Sequence, residues 1–331
     1  MALEKGIDKL VQEFIAAGRP SSLAQNIDER RAGYVAGTVL AGQKERRVQI
    51  ATLALDGITF RTYSPLNAPE TLPAVIYYHG GCFVSGGFNT HEPQLRQLAY
   101  YSNCRVIAVQ YRLAPEHTFP AAHDDAERGA NLVWKYADRF GVDKTRITLC
   151  GDSAGGHLAL VTALRLKAAG LWQPAQLILI YPMLDATAHF ESYTRNGLDY
   201  VITRDTLLSG YNMYLPHTER QHPEASPLWR DDLYGLPRTH IITAEYDPLC
   251  DEGEALYQHM TEQGVSCTCQ CWSGVIHGFF QLGGVSQAAR DVMRDIAWRL
   301  GAVSAEREGI KKSHIDDKAI KICSCKSSKA K

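Results

Sequence analysis

The sequence lacks the features that mark membrane-spanning, secreted and nucleic-acid-binding proteins. No apolar run approaches the roughly 20 residues that are needed to span a bilayer. The first residues, MALEKGIDKLVQEF, form an amphipathic helix pattern without the apolar core of a signal peptide. A formal net charge of −1 gives no electrostatic reason for nucleic acid or an anionic membrane to be a partner. We therefore expect neither a membrane span nor a nucleic-acid partner.

The sequence also lacks the cysteine spacing of a disulfide framework. Its nine cysteines are an odd number, which favours reduced thiols and a cytoplasmic location. Cys267, Cys269 and Cys271 alternate in SCTCQCW, and on a strand this spacing places all three on one face. One face of one strand encloses a metal ion poorly, so we predict a packed strand face and no metal site.

Short apolar runs alternate with helical patterns along most of the 331 residues. The apolar runs, rich in β-branched residues, are RVQIATLAL, ITFRTYS, PAVIYYHG, CRVIAVQYR, RITLCGDS, AQLILIYP, HIITAEYD and VSCTCQCW. Helical patterns cover 121–140, 154–169 and 251–263 between them. Continuous apolar strands separated by helices predict an α/β fold with a mostly parallel sheet covered on both faces. The first two runs predict a hairpin around Asp56-Gly57 and hence an antiparallel edge.

Three segments depart from this alternation. Residues 1–45 are helical and precede the first strand, and residues 185–237 carry aromatics, prolines and polar loops. Both are expected to cover one end of an α/β core formed by 46–184 and 238–302. Residues 303–331 are rich in Lys and Ser, with little periodicity, and are predicted to be a disordered tail.

The stretch ITLCGDSAGGHLAL carries the strongest chemical signal. An apolar strand meets Gly-x-Ser-x-Gly at Gly151, Ser153 and Gly155, and a helix follows directly. This arrangement is typical of a nucleophile elbow, in which a strained turn presents the serine and needs small neighbours. The following helix directs its N-terminal N–H groups towards the serine oxygen.

A serine nucleophile needs a base, and the base needs an orienting acid. Asp247 and His277 each follow a predicted strand, so both fall at the same sheet edge as Ser153. The order Ser, Asp, His is the one expected of an α/β-hydrolase sheet. Asp251 and Asp185 remain rival candidates for the acid, although we prefer Asp247.

Attack on an ester carbonyl also needs N–H donors for the developing oxyanion. Ala154 supplies one from the elbow, and the loop His79-Gly80-Gly81-Cys82 leaves its strand at the same edge. Backbone donors work from any residue except proline, so Cys82 can take part. We expect Cys82 to have a negative φ, with its side chain directed away from the carbonyl.

With these motifs the chain resembles the hormone-sensitive-lipase-like esterases, a branch of the α/β-hydrolases that includes bacterial acetyl esterases and arylacetamide deacetylases. The resemblance extends to about residue 300 and rests on five blocks in order: HGGCF (79–83), YRLAPEHTFPAAHDD (111–125), GDSAGG (151–156), DPLCDEG (247–253) and HGF (277–279). It implies an α/β-hydrolase fold with a mostly parallel eight-stranded sheet and a helical cap made from 1–45 and 185–237. We expect no cofactor and no metal.

The resemblance also assigns roles to residues. It implies Ser153 as nucleophile, Asp247 as acid and His277 as base. The implied oxyanion hole has N–H donors at Gly81, Cys82 and Ala154, with Gly80 shaping the turn and His79 supporting the loop. The block YRLAPEH is implied to be a structural loop. The chain departs from the family at Cys82, where glycine is usual, and at His157, where asparagine is more frequent.

The leading hypothesis is a serine carboxylesterase that acts on small esters with short acyl chains. A non-catalytic small-molecule receptor on the same fold is a second hypothesis, which the intact His277 disfavours. An amidase or a lactonase would use the same triad. Residues Tyr193, Tyr200, Tyr211 and Tyr214 are aromatics that either line the pocket or pack within the cap, and packing is favoured. The sequence leaves homodimer formation and a regulatory protein partner open.

Overall fold

The computed structural model describes residues 2–308, with side chains described as far as Gly301. One eight-stranded sheet has the order β1-β2-β4-β3-β5-β6-β7-β8. Its strands are β1 (Val48–Leu55), β2 (Ile58–Pro65), β3 (Leu72–Tyr78), β4 (Arg105–Gln110), β5 (Val142–Asp152), β6 (Gln176–Ile180), β7 (Thr239–Tyr246) and β8 (Cys267–Ile276). Strands β3 to β8 are parallel, which confirms the predicted mostly parallel sheet.

The antiparallel edge begins with the predicted hairpin. Strand β1 pairs with β2 up to Leu55 and Ile58, and β2 is antiparallel to β4 as well. The two turn residues Asp56 and Gly57 have φ of 47° and 78°. Two successive left-handed residues twist a two-residue turn in the same sense as the strands it joins. The Asp-Gly pair therefore closes this hairpin.

Alternate residues of the central strands fill two hydrophobic cores, one on each face of the sheet. On β3, Ala74, Ile76 and Tyr78 belong to one core, whereas Val75 and Tyr77 belong to the other. Strands β4 and β6 divide in the same way. Because both faces are covered, these strands read as unbroken apolar runs.

Helices cover both faces of the sheet. They are α1 (Lys5–Ala16), α2 (Ile27–Ala36), α3 (Phe88–Ser102), α4 (Ala121–Lys135), α5 (Ala137–Phe140), α6 (Ala154–Ala168), α7 (Glu191–Arg195), α8 (Arg204–Tyr214), α9 (Cys250–Glu262) and α10 (Gln287–Glu308). The pattern over 121–140 predicts one helix, but the structure has two, because the backbone of Tyr136 leaves the helical region. Helix α10 includes the first residues of the predicted tail, and residues 309–331 lie outside the described part of the chain.

The two segments that interrupt the alternation contact each other. Helices α1 and α2 lie in the first, and α7 and α8 lie in the second. Arg19 forms an ion pair with Asp199 at 2.6 Å, and Arg30 Nη1 donates to Ser209 Oγ at 2.8 Å. Polar contacts between distant parts of the chain thus join the segments.

Cys267 and Cys269 are partly buried against the hydrophobic core, as predicted for a packed strand face. Cys82, Cys104, Cys150, Cys250 and Cys267 are free thiols. Within residues 2–308, no helix has both the length and the apolar character needed to cross a membrane.

Candidate active site

Ser153 lies in a sharp turn between β5 and α6. Its backbone has φ 56° and ψ −118°, a conformation that an L-residue rarely adopts. A Cβ at Gly155 would lie 1.9 Å from the Tyr78 carbonyl oxygen, and one at Gly151 would lie 2.3 Å from Gly155. The collisions give the physical reason why both positions of the Gly-x-Ser-x-Gly pattern are glycine.

The three predicted polar side chains meet at the carboxyl edge of the sheet. His277 Nε2 lies 3.0 Å from Ser153 Oγ, and His277 Nδ1 lies 2.7 Å from Asp247 Oδ2. A carboxylate accepts, so Nδ1 carries the proton and Nε2 is free to accept from the serine hydroxyl. Asp247 is fully buried, and its Oδ1 accepts from the Leu249 N–H at 2.8 Å. These bonds fix the orientation of the imidazole.

The rival carboxylates lie elsewhere. Asp251 accepts from Ser192 N–H and pairs with Arg195, so it anchors α7. Asp185 bonds to Thr187 and His189. Of the three candidate acids, Asp247 is the one whose hydrogen bond reaches His277.

The loop after β3 approaches Ser153 through its backbone. Gly80 N–H donates to Asp152 Oδ1 at 2.9 Å, and a Cβ on Gly80 would lie 2.4 Å from Asp152 Oδ2. Gly81 has φ 126°, and a Cβ there would lie 2.1 Å from the Ser85 carbonyl oxygen. Within residues 2–308, the N–H groups of Gly81 and Cys82 donate to no protein acceptor. Ala154 N–H is likewise unpaired within its helix, because it begins α6.

The expected negative φ of Cys82 is wrong, since the structure has φ 56° there. Gly81, Cys82 and Phe83 all have positive φ, and the turn closes when Val84 and Ser85 donate to the Gly81 carbonyl oxygen. This tight turn imposes a left-handed conformation on the cysteine. The Cβ of Cys82 faces α8, where a Cβ on Gly210 would lie 2.5 Å away. Burial raises the pKa of the Cys82 thiol.

Buried polar side chains pack against the oxyanion loop (residues 79–82) and hydrogen-bond to it. His79 stacks on Tyr111 with ring centroids 4.3 Å apart, and its Nδ1 lies 2.8 Å from the Gly80 carbonyl oxygen. Burial lowers the pKa of His79 to about 4, so the neutral ring donates from Nδ1. Asp152 accepts from Tyr77 and bonds to His91 as well as to Gly80. Burial alone would raise the pKa of Asp152, but His91 and Tyr77 lower it overall.

The block YRLAPEH lies behind the loop and contributes no cavity residue. Arg112 forms two parallel bonds to Asp125, at 2.8 and 2.9 Å. Arg31 from α2 donates to the Ala114 carbonyl oxygen and pairs with Glu116 at 2.7 Å. These contacts agree with the structural role predicted for this block.

Ser153 opens into a cavity of about 450 Å³ between the core and the two covering segments. The first segment contributes Phe14, Arg30 and Tyr34, and the second contributes Val201 and Ile202. Gly81, Cys82 and His277 line it from the core. Sequence reasoning missed Arg30 and Tyr34, because each comes to the site through contacts distant in sequence, such as Tyr34 Oη to Gln281 at 2.9 Å.

The residues left open by sequence prove to be packing groups. Tyr193, Tyr211 and Tyr214 belong to one hydrophobic core and Tyr200 packs against the other, which is what the packing interpretation predicts. His157 is buried, and its Nδ1 lies 2.8 Å from the Met183 carbonyl oxygen while its Nε2 lies 2.8 Å from that of Glu224. His157 therefore joins α6 to the segment 185–237.

Sequence reasoning missed one buried carboxyl, that of Glu252. It accepts a hydrogen bond from the N–H of Leu184 at 2.6 Å.

Comparison with known proteins agrees with this architecture. A family model described as alpha/beta hydrolase fold matches residues 75–281. A carboxylesterase of Mycobacterium tuberculosis, NlhH, is 34% identical over 254 residues, which cover 75% of this chain and 80% of that protein. An ethyl acetate hydrolase of Pseudomonas putida is 32% identical over 292 residues, 85% of this chain and 92% of that one. The solved structure of a hyperthermophilic esterase from Pyrobaculum calidifontis superposes with a TM-score of 0.84 at 35% identity, covering 92% of this chain and 99% of the other.

The chain belongs to this α/β-hydrolase family, as its hormone-sensitive-lipase-like motifs predicted, and it is a carboxylic ester hydrolase.

Proposed function

We propose that the protein is a serine carboxylesterase in which Ser153 forms an acyl-enzyme, His277 is the general base and acid, and Asp247 orients His277. The observation that carries this proposal is the continuous hydrogen-bonded line from Asp247 Oδ2 through His277 to Ser153 Oγ, with distances of 2.7 and 3.0 Å. Nucleophile and base within hydrogen-bond reach, with the base oriented by a third group, are the requirement for covalent catalysis.

In the first half of the reaction, Ser153 Oγ attacks the ester carbonyl carbon as His277 Nε2 takes the hydroxyl proton. The resulting oxyanion accepts from the N–H groups of Gly81, Cys82 and Ala154. Because these donors are unpaired in the free protein, they are ready for the charge without reorganisation. The imidazolium then gives its proton to the leaving alcohol, and the acyl group stays on Ser153.

In the second half, water replaces the alcohol. His277 accepts a proton from this water as the water attacks the acyl carbon, and the same oxyanion donors stabilise the second tetrahedral intermediate. The acid product leaves when His277 returns the proton to Ser153 Oγ. The chain returns to its starting state with one ester bond hydrolysed.

We infer further that residues 1–45 and 185–237 form a cap that selects small esters with short acyl chains. Phe14, Val201 and Ile202 bring apolar surface from these segments into the cavity that holds Ser153. The relative from Pseudomonas putida is named for ethyl acetate, an ester with a two-carbon acyl group.

An acyl-chain ladder tests this selectivity. We expect kcat/KM for p-nitrophenyl esters to be highest between C2 and C6 and to fall steadily towards C12, with Ser153→Ala as the blank for spontaneous hydrolysis. A maximum at C10 or beyond would show that the cavity extends further than we propose.

Labelling with a fluorophosphonate tests the nucleophile itself. We expect one adduct per chain, at Ser153, and its formation should stop esterase turnover in proportion. If the wild-type chain hydrolyses p-nitrophenyl acetate but takes no label at Ser153, another residue is the nucleophile.

A further inference from the structure

A cluster of soft and acidic side chains lies between α9 and β8, outside the cavity that contains Ser153. Cys250 and Glu254 are one helical turn apart and therefore lie on the same face of α9. Cys271 lies on β8, opposite Thr243 of β7. The two thiol sulfurs and a carboxylate oxygen of Glu254 all lie within 4.8 Å of one another.

Close packing of helix on sheet holds these groups together. A Cβ on Gly253 would lie 2.4 Å from Thr243 Cγ2, so the helix backbone lies directly against β7. Cys250 N–H donates to the Asp247 carbonyl oxygen at 3.1 Å, which fixes the start of α9. Three donor atoms from two rigid elements are thus held in place before any ligand arrives, as a built site requires.

The cluster has the character of a cation site without a cation. Cys250 is buried, whereas Glu254 and Cys271 are partly buried. In the described part of the chain Glu254 forms no ion pair, and its Oε1 accepts a hydrogen bond from Cys250 Sγ at 3.8 Å. Two thiol sulfurs and a carboxylate oxygen that already lie this close together form a donor set for one divalent cation.

We propose that Cys250, Glu254 and Cys271 form a binding site for a thiophilic divalent cation of the Zn²⁺ class. Zinc binds thiolate at ~2.3 Å and carboxylate oxygen at ~2.1 Å, so ligand atoms of a tetrahedral ion lie roughly 3.5–3.8 Å apart. The ligand atoms lie within 4.8 Å of one another, so a contraction of at most about 1 Å brings the cluster to this spacing. Water would supply the fourth ligand.

The donor set also selects among cations. Two thiolates favour Zn²⁺ or Cd²⁺ over Mg²⁺ and Ca²⁺, which prefer oxygen ligands only. Binding converts two thiols to thiolates and releases two protons, so the reaction is Zn²⁺ plus two thiols giving a zinc dithiolate and two H⁺. The proposed site departs from the prediction of no metal here, because it takes one cysteine from the alternating strand face and two ligands from the facing helix.

The test is a Zn²⁺ titration of the full-length chain in a reducing buffer that does not bind zinc. Cys323 and Cys325 are replaced by serine in every protein compared, so that thiols outside the described residues contribute nothing. We expect one ion per chain with a Kd below about 1 μM and release of about two protons, from calorimetry in buffers of different ionisation enthalpy. Mg²⁺ should not compete.

Variants assign the ligands. Cys250→Ser and Cys271→Ser should each weaken Zn²⁺ binding by about 100-fold or more, and Glu254→Gln by about tenfold. Cys267→Ser is the matched control, since Cys267 lies on the same strand and outside the cluster, and it should leave the affinity unchanged. Titration with Cd²⁺ adds a readout of the ligands themselves, because thiolate ligation produces a charge-transfer band in the ultraviolet. That band should be present in Cys267→Ser and absent from the double variant Cys250→Ser with Cys271→Ser.

Three results would each overturn the proposal. The first is that the wild-type chain binds Zn²⁺ no more tightly than the folded double variant does. The second is that binding releases almost no protons. The third is that Cys267→Ser loses as much affinity as Cys250→Ser and Cys271→Ser do. Circular dichroism spectra establish that the variants compared are folded.

Discussion

The contact between Cys82 of the oxyanion loop and Gly210 of α8 supports a double-mutant prediction. A Cβ on Gly210 would lie 2.5 Å from Cys82 Cβ and 2.9 Å from the Cys82 carbonyl oxygen. Gly210→Ala therefore overpacks the junction, which costs about 1–3 kcal/mol, and better helix propensity returns about 0.5–1 kcal/mol of this. We expect a net destabilisation of about 1–2 kcal/mol.

Cys82→Gly acts in two opposing ways. It relieves a non-glycine residue at φ 56°, worth about 1–2 kcal/mol, and it loses a buried Cβ and sulfur worth a similar amount. The single change should thus alter stability by less than about 1 kcal/mol. In the double variant, the new Cβ at position 210 no longer meets Cys82 Cβ and keeps only the 2.9 Å contact with the carbonyl oxygen of residue 82. We expect a favourable coupling of about 1 kcal/mol, or roughly 2 °C in Tm at one scan rate.

The same variants test the oxyanion assignment through kcat/KM for p-nitrophenyl acetate. Cys82→Gly keeps the N–H of residue 82, so activity should stay within tenfold, whereas loss of a donor would cost about 3 kcal/mol, or about 100-fold. Effects of the two changes on the free energy of unfolding that add to within about 0.5 kcal/mol would refute the packing argument. A collapse of activity in Cys82→Gly would show that the thiol itself takes part.

Two further predictions concern the buried ionisable groups. Asp247→Asn should lower kcat by about 10⁴ with little change in KM, because an amide stabilises the wrong tautomer of His277; a loss of less than tenfold in stopped assays would remove Asp247 from the triad. Burial lowers the pKa of both His79 and His157 to about 4 from a usual 6.5, so the unfolded chain binds more protons between these values. The free energy of unfolding therefore does not depend on the titration of these groups above pH 6.5. It decreases as the pH falls from 6.5 to about 4, by up to ~1.4 kcal/mol per pH unit for each group. Tm measured from pH 7 to pH 4.5 should fall less steeply in His157→Asn than in wild type, and parallel curves would contradict the assignment.

Much of the site could be predicted because its determinants are local. Asp247 and His277 each follow a strand, and parallel strands end at one edge of the sheet, so their meeting with Ser153 follows from topology. The elbow can be recognised from the sequence because a tight turn needs small residues at fixed positions. The structure gives the reason, since a Cβ at Gly151 or Gly155 would collide with neighbouring backbone.

The conformation of Cys82 could not be predicted, because it opposes local preference. A cysteine ordinarily avoids positive φ, and here the turn closed by Val84 and Ser85 overrides that tendency. The same holds for the cavity lining. Arg30 and Tyr34 reach the site through partners at Ser209 and Gln281, and no periodicity in the sequence reports such distant contacts.

The break between α4 and α5, within the helical pattern over 121–140, also could not be predicted from the local sequence. The residues around Tyr136 favour a helix as a group, and there is neither a proline nor a glycine at the break. The proposed cation site was missed for a different reason, since its side chains come from α9 and β8 rather than from one element. Only the packing of these two elements brings Cys250 and Cys271 together.

The most direct test of the central claim is the turnover of p-nitrophenyl acetate by Ser153→Ala, with folding verified by circular dichroism. If Ser153 carries the acyl group, removing its Oγ should lower kcat by about 10⁶, to the level left by the oxyanion donors and binding. Activity near that of the wild-type chain would contradict the assignment of Ser153 as the nucleophile.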